Sequence, residues 1–333
     1  MSSLAHNTIC DVAGLKVGHA HDPVLKSGTT VILSDTPMTA AVHVMGGAPG
    51  TRETDLLHPD KTVQSVDAIV LSGGSAFGLD AASGVMNALR QDGRGFSVGP
   101  ARVPIVPAAI LFDLLNGGDK TWDHSPYFSL GEQAYRNAAS KCDIGTVGAG
   151  FGALCGATKG GLGSASCTLT GKAFVGALMV ANPVGNVVNL ADKRFWAAPF
   201  EVGSEFGNLG LPKSSGLEME QSKLAALHDR ANTTIGVIAT DLALDKSQLQ
   251  RVATAAHDGI ARAIVPSHLP HDGDLIFALS TGKRPFDGNP LVFAELCHQA
   301  SLTVARAIAR GVYEAQPEGN DLLPTAKQLC KLL

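Results

Sequence analysis

Aromatic residues are scarce in this chain of 333 residues, at 5% of the total, while glycine is plentiful, with 38 copies. A core built from so few rings must rely on aliphatic packing and close backbone approach. The six cysteines (Cys10, Cys142, Cys155, Cys167, Cys297, Cys330) form no C-x-x-C pair and no zinc spacing. They read as free thiols of a reducing compartment, which predicts a cytoplasmic protein without disulfides or a metal site. No run of lysine or arginine interrupts a net charge of −4, so nucleic acid is not the expected partner. No apolar run approaches the roughly 18 residues of a membrane span, and residues 1–11 carry no signal core. No cofactor is expected either: Gly148, Gly150 and Ala153 match a loose dinucleotide pattern, but no strand precedes them and no acidic residue follows at the required distance.

What is present is 45% apolar sequence, enough for a large core. Short apolar runs at 12–18, 29–33 and 40–45 predict three strands, followed by a loop rich in glycine and charge over 46–55. Val66–Leu71 predicts a buried strand, Ser72–Gly78 a glycine-rich turn that could offer backbone N–H groups to a ligand, and Leu79–Arg90 a helix. An apolar, proline-punctuated stretch covers Val103–Asp113, and a short helix is expected over Ser129–Ser140. Gly145–Ser166 is a second glycine-dense stretch. Ala173–Ala181 predicts another buried strand, ended by Asn182-Pro183. Residues 191–230 read as a polar linker. Helices are expected over Ser247–Ile264 and Phe293–Tyr313, with a core strand at Leu275–Leu279 between them and a polar, fraying tail from Gln316.

One stretch organises the rest, Asn232-Thr233-Thr234-Ile235-Gly236-Val237-Ile238. A hydroxyl residue stands where the polar linker meets a buried, β-branched strand. If the bond before Thr233 were cut, its α-amine, with a reference pKa of about 7.7–8.0, could take the proton of its own hydroxyl. A strand start after a loop is the plainer explanation of the same residues. Asp272 and Asp274, two apart just before a strand, would place both carboxylates on one face and could steer that amine; a surface Asp-Gly turn is the plainer alternative. Asn182 is either a turn-starting side chain or a fixed amide donor for a developing oxyanion. His268 and His271 could form a pair, but solvated loop residues are the plainer reading.

Taken together, Asn232-Thr233-Thr234-Ile235, Asn182-Pro183-Val184-Gly185 and His271-Asp272-Gly273-Asp274-Leu275 resemble the DmpA-type peptidases. That family includes the L-aminopeptidase/D-esterases, the β-peptidyl aminopeptidases and the nylon-oligomer endo-hydrolase. The resemblance extends to Ser72-Gly73-Gly74-Ser75-Ala76-Phe77-Gly78-Leu79 and Lys159-Gly160-Gly161-Leu162-Gly163-Ser164, and so to nearly the full length. It implies an α/β (α+β) fold, the αββα sandwich shared with ornithine acetyltransferases, as one domain of residues 1–333. It also implies self-cleavage into 1–232 and 233–333, with the fragments remaining together in a homotetramer or larger assembly. Carried over, Thr233 is the nucleophile of both self-cleavage and turnover, Asn182 the oxyanion-side amide, and Asp272 and Asp274 the pair that supports the nucleophile. The implied partner is a small amide or peptide substrate. Two departures stand out: Phe112 replaces a tyrosine near the site, and Lys159 belongs to a different motif from the family's lysine. No glutamate lies in Val103–Asp113 to hold a substrate ammonium. An acyltransferase on the same scaffold, or an uncleaved ligand-binding relative, are the alternatives.

Overall fold

The computed structural model describes residues 6–213 and 232–331. Their architecture follows from one strand. Ser27–Val44 (β2) runs for 18 residues, and its two halves serve different neighbours. Thr29–Leu33 pairs with Leu15–Asp22 (β1) and with Val66–Ser72 (β4), whereas Thr39–Val44 pairs with Leu275–Arg284 (β13). The two separate strands expected at 29–33 and 40–45 are therefore one. Asp35, Thr36 and Pro37 between them are exposed; proline lacks the N–H that a ladder needs, so the pairing shifts register there and the strand bends instead of ending.

Around β2 the described residues form a nine-stranded sheet ordered β3-β7-β4-β2-β13-β12-β9-β8, with β1 beside β2. Here β3 is Thr51–Arg52, β7 Ala108–Ile110, β8 Gly161–Thr168, β9 Phe174–Asn182 and β12 Thr233–Leu242. Two short hairpins, Phe96–Val98 (β5) with Ala101–Val103 (β6) and Val188–Asn189 (β10) with Arg194–Phe195 (β11), stand apart. Helices are Asp80–Gln91 (α1), Tyr127–Arg136 (α2), Lys246–Ala263 (α3), Pro290–Tyr313 (α4) and Ala326–Leu329 (α5).

Alternation along the strands sorts the core into layers. In β4, Ala68 and Val70 meet Ala81, Val85 and Leu89 of α1 with Tyr127 and Leu130 of α2, while Ile69 and Leu71 face the other way. There they join Leu178, Val180, Ile235, Val237, Leu275 and Phe277, the apolar filling between the two halves of the sheet. On the far side Met179, Ile238 and Ile276 pack with Leu249, Val252 and Ala256 of α3 and Val304 and Ile308 of α4. Period-two burial on strands and helical stripes on both outer faces give the αββα order.

Three stretches depart from expectation. The end of the glycine-dense stretch Gly145–Ser166 lies in β8, a strand against whose backbone α4 lies almost directly. A Cβ on Gly163 would sit 1.8 Å from the carbonyl oxygen of Ala307, so only glycine admits the helix. Residues 191–213 are folded rather than a linker: the buried rings of Phe195 and Phe206 lie 5.4 Å apart, and Glu205 pairs with Arg306 at 2.6 Å. Residues 214–231 lie outside the described residues. The tail is docked, since the Asp321 carboxylate receives the ammonium groups of Lys26 and Lys159, each at 2.8 Å. Among the described residues, no helix is long and apolar enough to cross a membrane.

Candidate functional site

The centre of the sheet delivers three chain segments to one edge. Thr233 opens β12, and its neighbour across the antiparallel ladder is Asn182, the last residue of β9. On the other side β12 runs parallel to β13, and that pairing extends outward as a bridge between Asn232 and Asp272. Thr233, Asn232, Asn182, Asp272 and Asp274 are all buried, each at most 4% exposed. The five residues singled out in the sequence thus meet in one place, although 90 positions separate Asn182 from Asp272 in the chain.

The hydrogen bonds are specific. The carbonyl oxygen of Asn232 accepts the backbone N–H of Gly273 at 2.8 Å. Gly273 itself lies so close to Thr233 that a Cβ there would be 2.8 Å from Thr233 Oγ1. Asp274 Oδ1 accepts the N–H of Thr234 at 2.7 Å, and its Oδ2 accepts the N–H of His268 at 3.2 Å. Asp272 is held apart from Thr234, accepting from Leu269 at 2.9 Å and Val184 at 3.3 Å. Each carboxylate therefore has its own backbone donors. Burial, and next the negative charge of Asp274, raise the pKa of Asp272 above the ordinary carboxylate value. The loop after β2 clamps this segment: Ala48 donates to the Asp272 carbonyl at 2.9 Å, and Met45 and Gly46 donate to the Asp274 carbonyl at 3.0 Å. This largely exposed loop, rich in glycine and charge, thus also supports the site backbone.

Asn182 is oriented by two backbone contacts. Its Oδ1 accepts from Leu154 at 2.9 Å and its Nδ2 donates to the Phe112 carbonyl at 3.0 Å. An amide nitrogen carries two hydrogens, and the Phe112 carbonyl takes one of them. Phe112 is half-buried and contributes its carbonyl to that arrangement. Lys159 is spent on Asp321. Asp113 is turned inward as well: it accepts Ser27 Oγ at 2.6 Å and the Gly74 N–H at 2.8 Å, and burial raises its pKa. The Ser72–Gly78 turn consequently offers little to a ligand, because Gly73, Gly74 and Ser75 all donate their N–H groups within the protein.

Sequence reasoning missed two contributors. The Gly273 N–H was invisible because a backbone donor leaves no mark beyond the glycine itself. His268, read as solvated, sits against Asp274 with Nδ1 2.8 Å from Oδ2, while His271 is exposed as expected. Among the described residues no cluster of three His, Cys, Asp or Glu could hold a metal ion.

Comparison with known proteins gives concordant matches. The model of peptidase family S58 matches residues 7–321. Uncharacterized aminopeptidase Rv1333 of Mycobacterium tuberculosis is 43% identical over 343 aligned positions, covering 97% of this chain and 98% of its own length. The 6-aminohexanoate-oligomer endohydrolase of Paenarthrobacter ureafaciens is 29% identical over 290 positions, covering 84% of this chain and 76% of that protein. Among solved structures, the Burkholderia sp. beta-aminopeptidase has a TM-score of 0.69 at 20% identity, over 98% of this chain and 92% of its own. The L-aminopeptidase D-Ala-esterase/amidase of Ochrobactrum anthropi, described as a variant of the Ntn hydrolase fold, has a TM-score of 0.65 at 21% identity, over 96% and 89%. The sandwich seen here is of that fold.

Proposed function

The chain belongs to peptidase family S58 and is a hydrolase of amide or peptide bonds, and we propose that it works through Thr233 as an N-terminal nucleophile released by self-cleavage. Thr233 Oγ attacks the carbonyl carbon of Asn232. A C–O bond forms, the C–N bond to Thr233 breaks, and the hydroxyl proton passes to the departing nitrogen. Water then hydrolyses the resulting ester, leaving chains of 232 and 101 residues and a free amine on Thr233. In turnover that amine takes the Oγ proton while Oγ attacks an external amide. The leaving amine departs protonated, and water releases the acyl group. The observation that carries this reading is the Gly273 N–H at 2.8 Å from the Asn232 oxygen, a donor already aimed where negative charge develops in the first step.

The preferred substrate is a small peptide or amino-acid oligomer. The relatives' names span aminopeptidase and 6-aminohexanoate-oligomer endohydrolase, which share an amide link between small amino-acid units. Asp113 is committed to Ser27 and Gly74 and does not hold a substrate ammonium. The enzyme works as a homo-oligomer in the cytoplasm under this proposal.

The test is intact mass and N-terminal sequencing of the purified protein. Chains of about 24 and about 10 kDa, sharing 34.3 kDa in proportion to length, with the smaller beginning Thr-Thr-Ile-Gly, are the expected result. A chain that stays whole through prolonged incubation overturns it. A second expectation concerns Asn182→Ala. Losing one oxyanion donor is worth about 2.7–4 kcal/mol, so turnover of a chromogenic amide should fall about 100-fold to 1,000-fold. Turnover near the wild-type rate, with thermal unfolding unchanged, would remove Asn182 from the mechanism.

A further inference from the structure

We propose that His268 is a positioning residue for the Thr233 nucleophile: its imidazole holds the Asp274 carboxylate under the Thr233–Thr234 backbone and, when protonated, balances its charge. The inference rests on Thr233 being the self-cleaving residue.

The backbone is the first observation. His268 has φ +56°, a left-handed conformation that side-chain-bearing residues adopt at a cost of about 1–3 kcal/mol when it is not locally favoured. That conformation sets the His268 N–H on Asp274 Oδ2, while the next residue, Leu269, donates its N–H to Asp272 Oδ2. Consecutive amides of one tight loop thus serve the two carboxylates separately.

The ring is the second observation. Nδ1 lies 2.8 Å from Asp274 Oδ2, although off the line of a well-formed hydrogen bond. Asp274 is 2% exposed at its side chain, and a buried carboxylate with no counter-charge is strongly disfavoured. Behind His268 stands a neutral wall. The ring of His257 on α3 meets it edge-on at 5.2 Å, and the ring of His43 on β2 meets His257 at 5.0 Å. His257 Nε2 is 3.0 Å from the His43 carbonyl oxygen, and burial holds its pKa down at about 4, so it is uncharged at neutral pH. His43 is likewise lowered, by burial first and by Arg251 of α3 next. Among the described residues, the titratable groups facing His268 are therefore Asp274 and Asp272 on its own loop, with His257 and His43 behind it. Burial alone would lower the pKa of His268; the contact with Asp274 and its charge outweigh this, with lesser help from the His257 carbonyl and Asp272, and the net direction is upward.

The sign then follows. A histidine with a raised pKa keeps its proton above the ordinary value of about 6.5 and loses it as pH rises through the shifted value. Self-cleavage should slow across that interval as Asp274 loses its counter-charge.

The experiment follows self-cleavage of the full chain after cell-free synthesis, which needs no external substrate, from about pH 6 to about pH 9. It compares wild type with His268→Asn, since asparagine tolerates the left-handed backbone. The expected result is a wild-type rate that declines through an alkaline titration, and a variant about 10-fold slower at about pH 6 that lacks the decline. A proton NMR titration of His268 in the wild-type protein, expected above 6.5 and coincident with the kinetic limb, needs no variant. A variant with the same alkaline limb as wild type, whether equally fast or uniformly slower, overturns the proposal, because a merely structural loss would not move the limb. So does a His268 titration below 6.5. Wild type that is never cut is a different result: it removes Thr233 as nucleophile, and this inference with it.

Discussion

A Thr233→Ala chain should remain one polypeptide and hydrolyse no amide, at least about 10,000-fold below wild type, the scale on which loss of an acyl-enzyme nucleophile is felt. The structure separates this from misfolding. Thr233 is the first residue of β12, and its strand partners, Asn182 on β9 and the segment before β13, are held through backbone atoms that alanine retains. The Thr234 N–H bond to Asp274 is untouched by the change. Only a hydroxyl and a methyl group disappear, so the folded state should persist with a loss of about 1–2 kcal/mol. The companion Thr233→Ser keeps the oxygen and should still be cut. Electrophoresis of the two variants beside wild type decides the matter. Efficient cutting of the alanine variant would place the nucleophile elsewhere.

The second large effect is expected at a residue with no functional atom in its side chain. Gly273 has no left-handed backbone, so alanine is conformationally acceptable there; the obstacle is space. The added Cβ would lie 2.8 Å from Thr233 Oγ1 and 2.7 Å from the Ala48 carbonyl oxygen. One of the three must move, and the Asn232 carbonyl hangs on the Gly273 N–H. Displacements of about 1 Å at a reacting centre can lower rates about 100-fold, and self-cleavage of Gly273→Ala should slow by at least that factor. Gly319→Ala is the control: nothing lies within 4 Å of a Cβ there, and its half-time should match wild type. If Gly273→Ala were cut as quickly as Gly319→Ala, the scissile carbonyl would not depend on this loop.

The strands and helices with a single strong period were legible in advance. The apolar run Ala173–Ala181 and the stretch after Thr233 became β9 and β12, and the stripe Leu249, Val252, Ala256, Ile260 became the buried face of α3. Failures came where a local signal was overruled by a neighbour far along the chain. Pro37 reads as a break, but pairing with β4 and β13 carries β2 past it. Gly161 and Gly163 show no strand signal in the sequence because strand propensity ignores a distant helix, α4, that needs their missing side chains. The polar stretch from residue 191 hides Phe195 and Phe206 among charged residues; the two rings pack together, and Phe195 also meets Tyr313 of α4. At the site, residue types were readable from their motifs, whereas roles carried by geometry were not. His268 looks like any loop histidine until the Asp274 carboxylate is seen beside its ring.

The order of strands in the sheet has a consequence for timing. β12 and β13 lie between β2 and β9, so both strands that follow the Asn232–Thr233 bond are flanked by strands that precede it. The groups around that bond come from Phe112, Leu154, Asn182 and the 268–274 loop. A ribosome that has just made residue 233 has not yet made Gly273, whose N–H meets the Asn232 carbonyl at 2.8 Å. If that bond is cut as proposed, it outlives synthesis of its own neighbourhood and yields only after the last strand has inserted. Under the proposed reading such a cut is a timestamp: it would mark molecules that have finished folding, and it could not be written early.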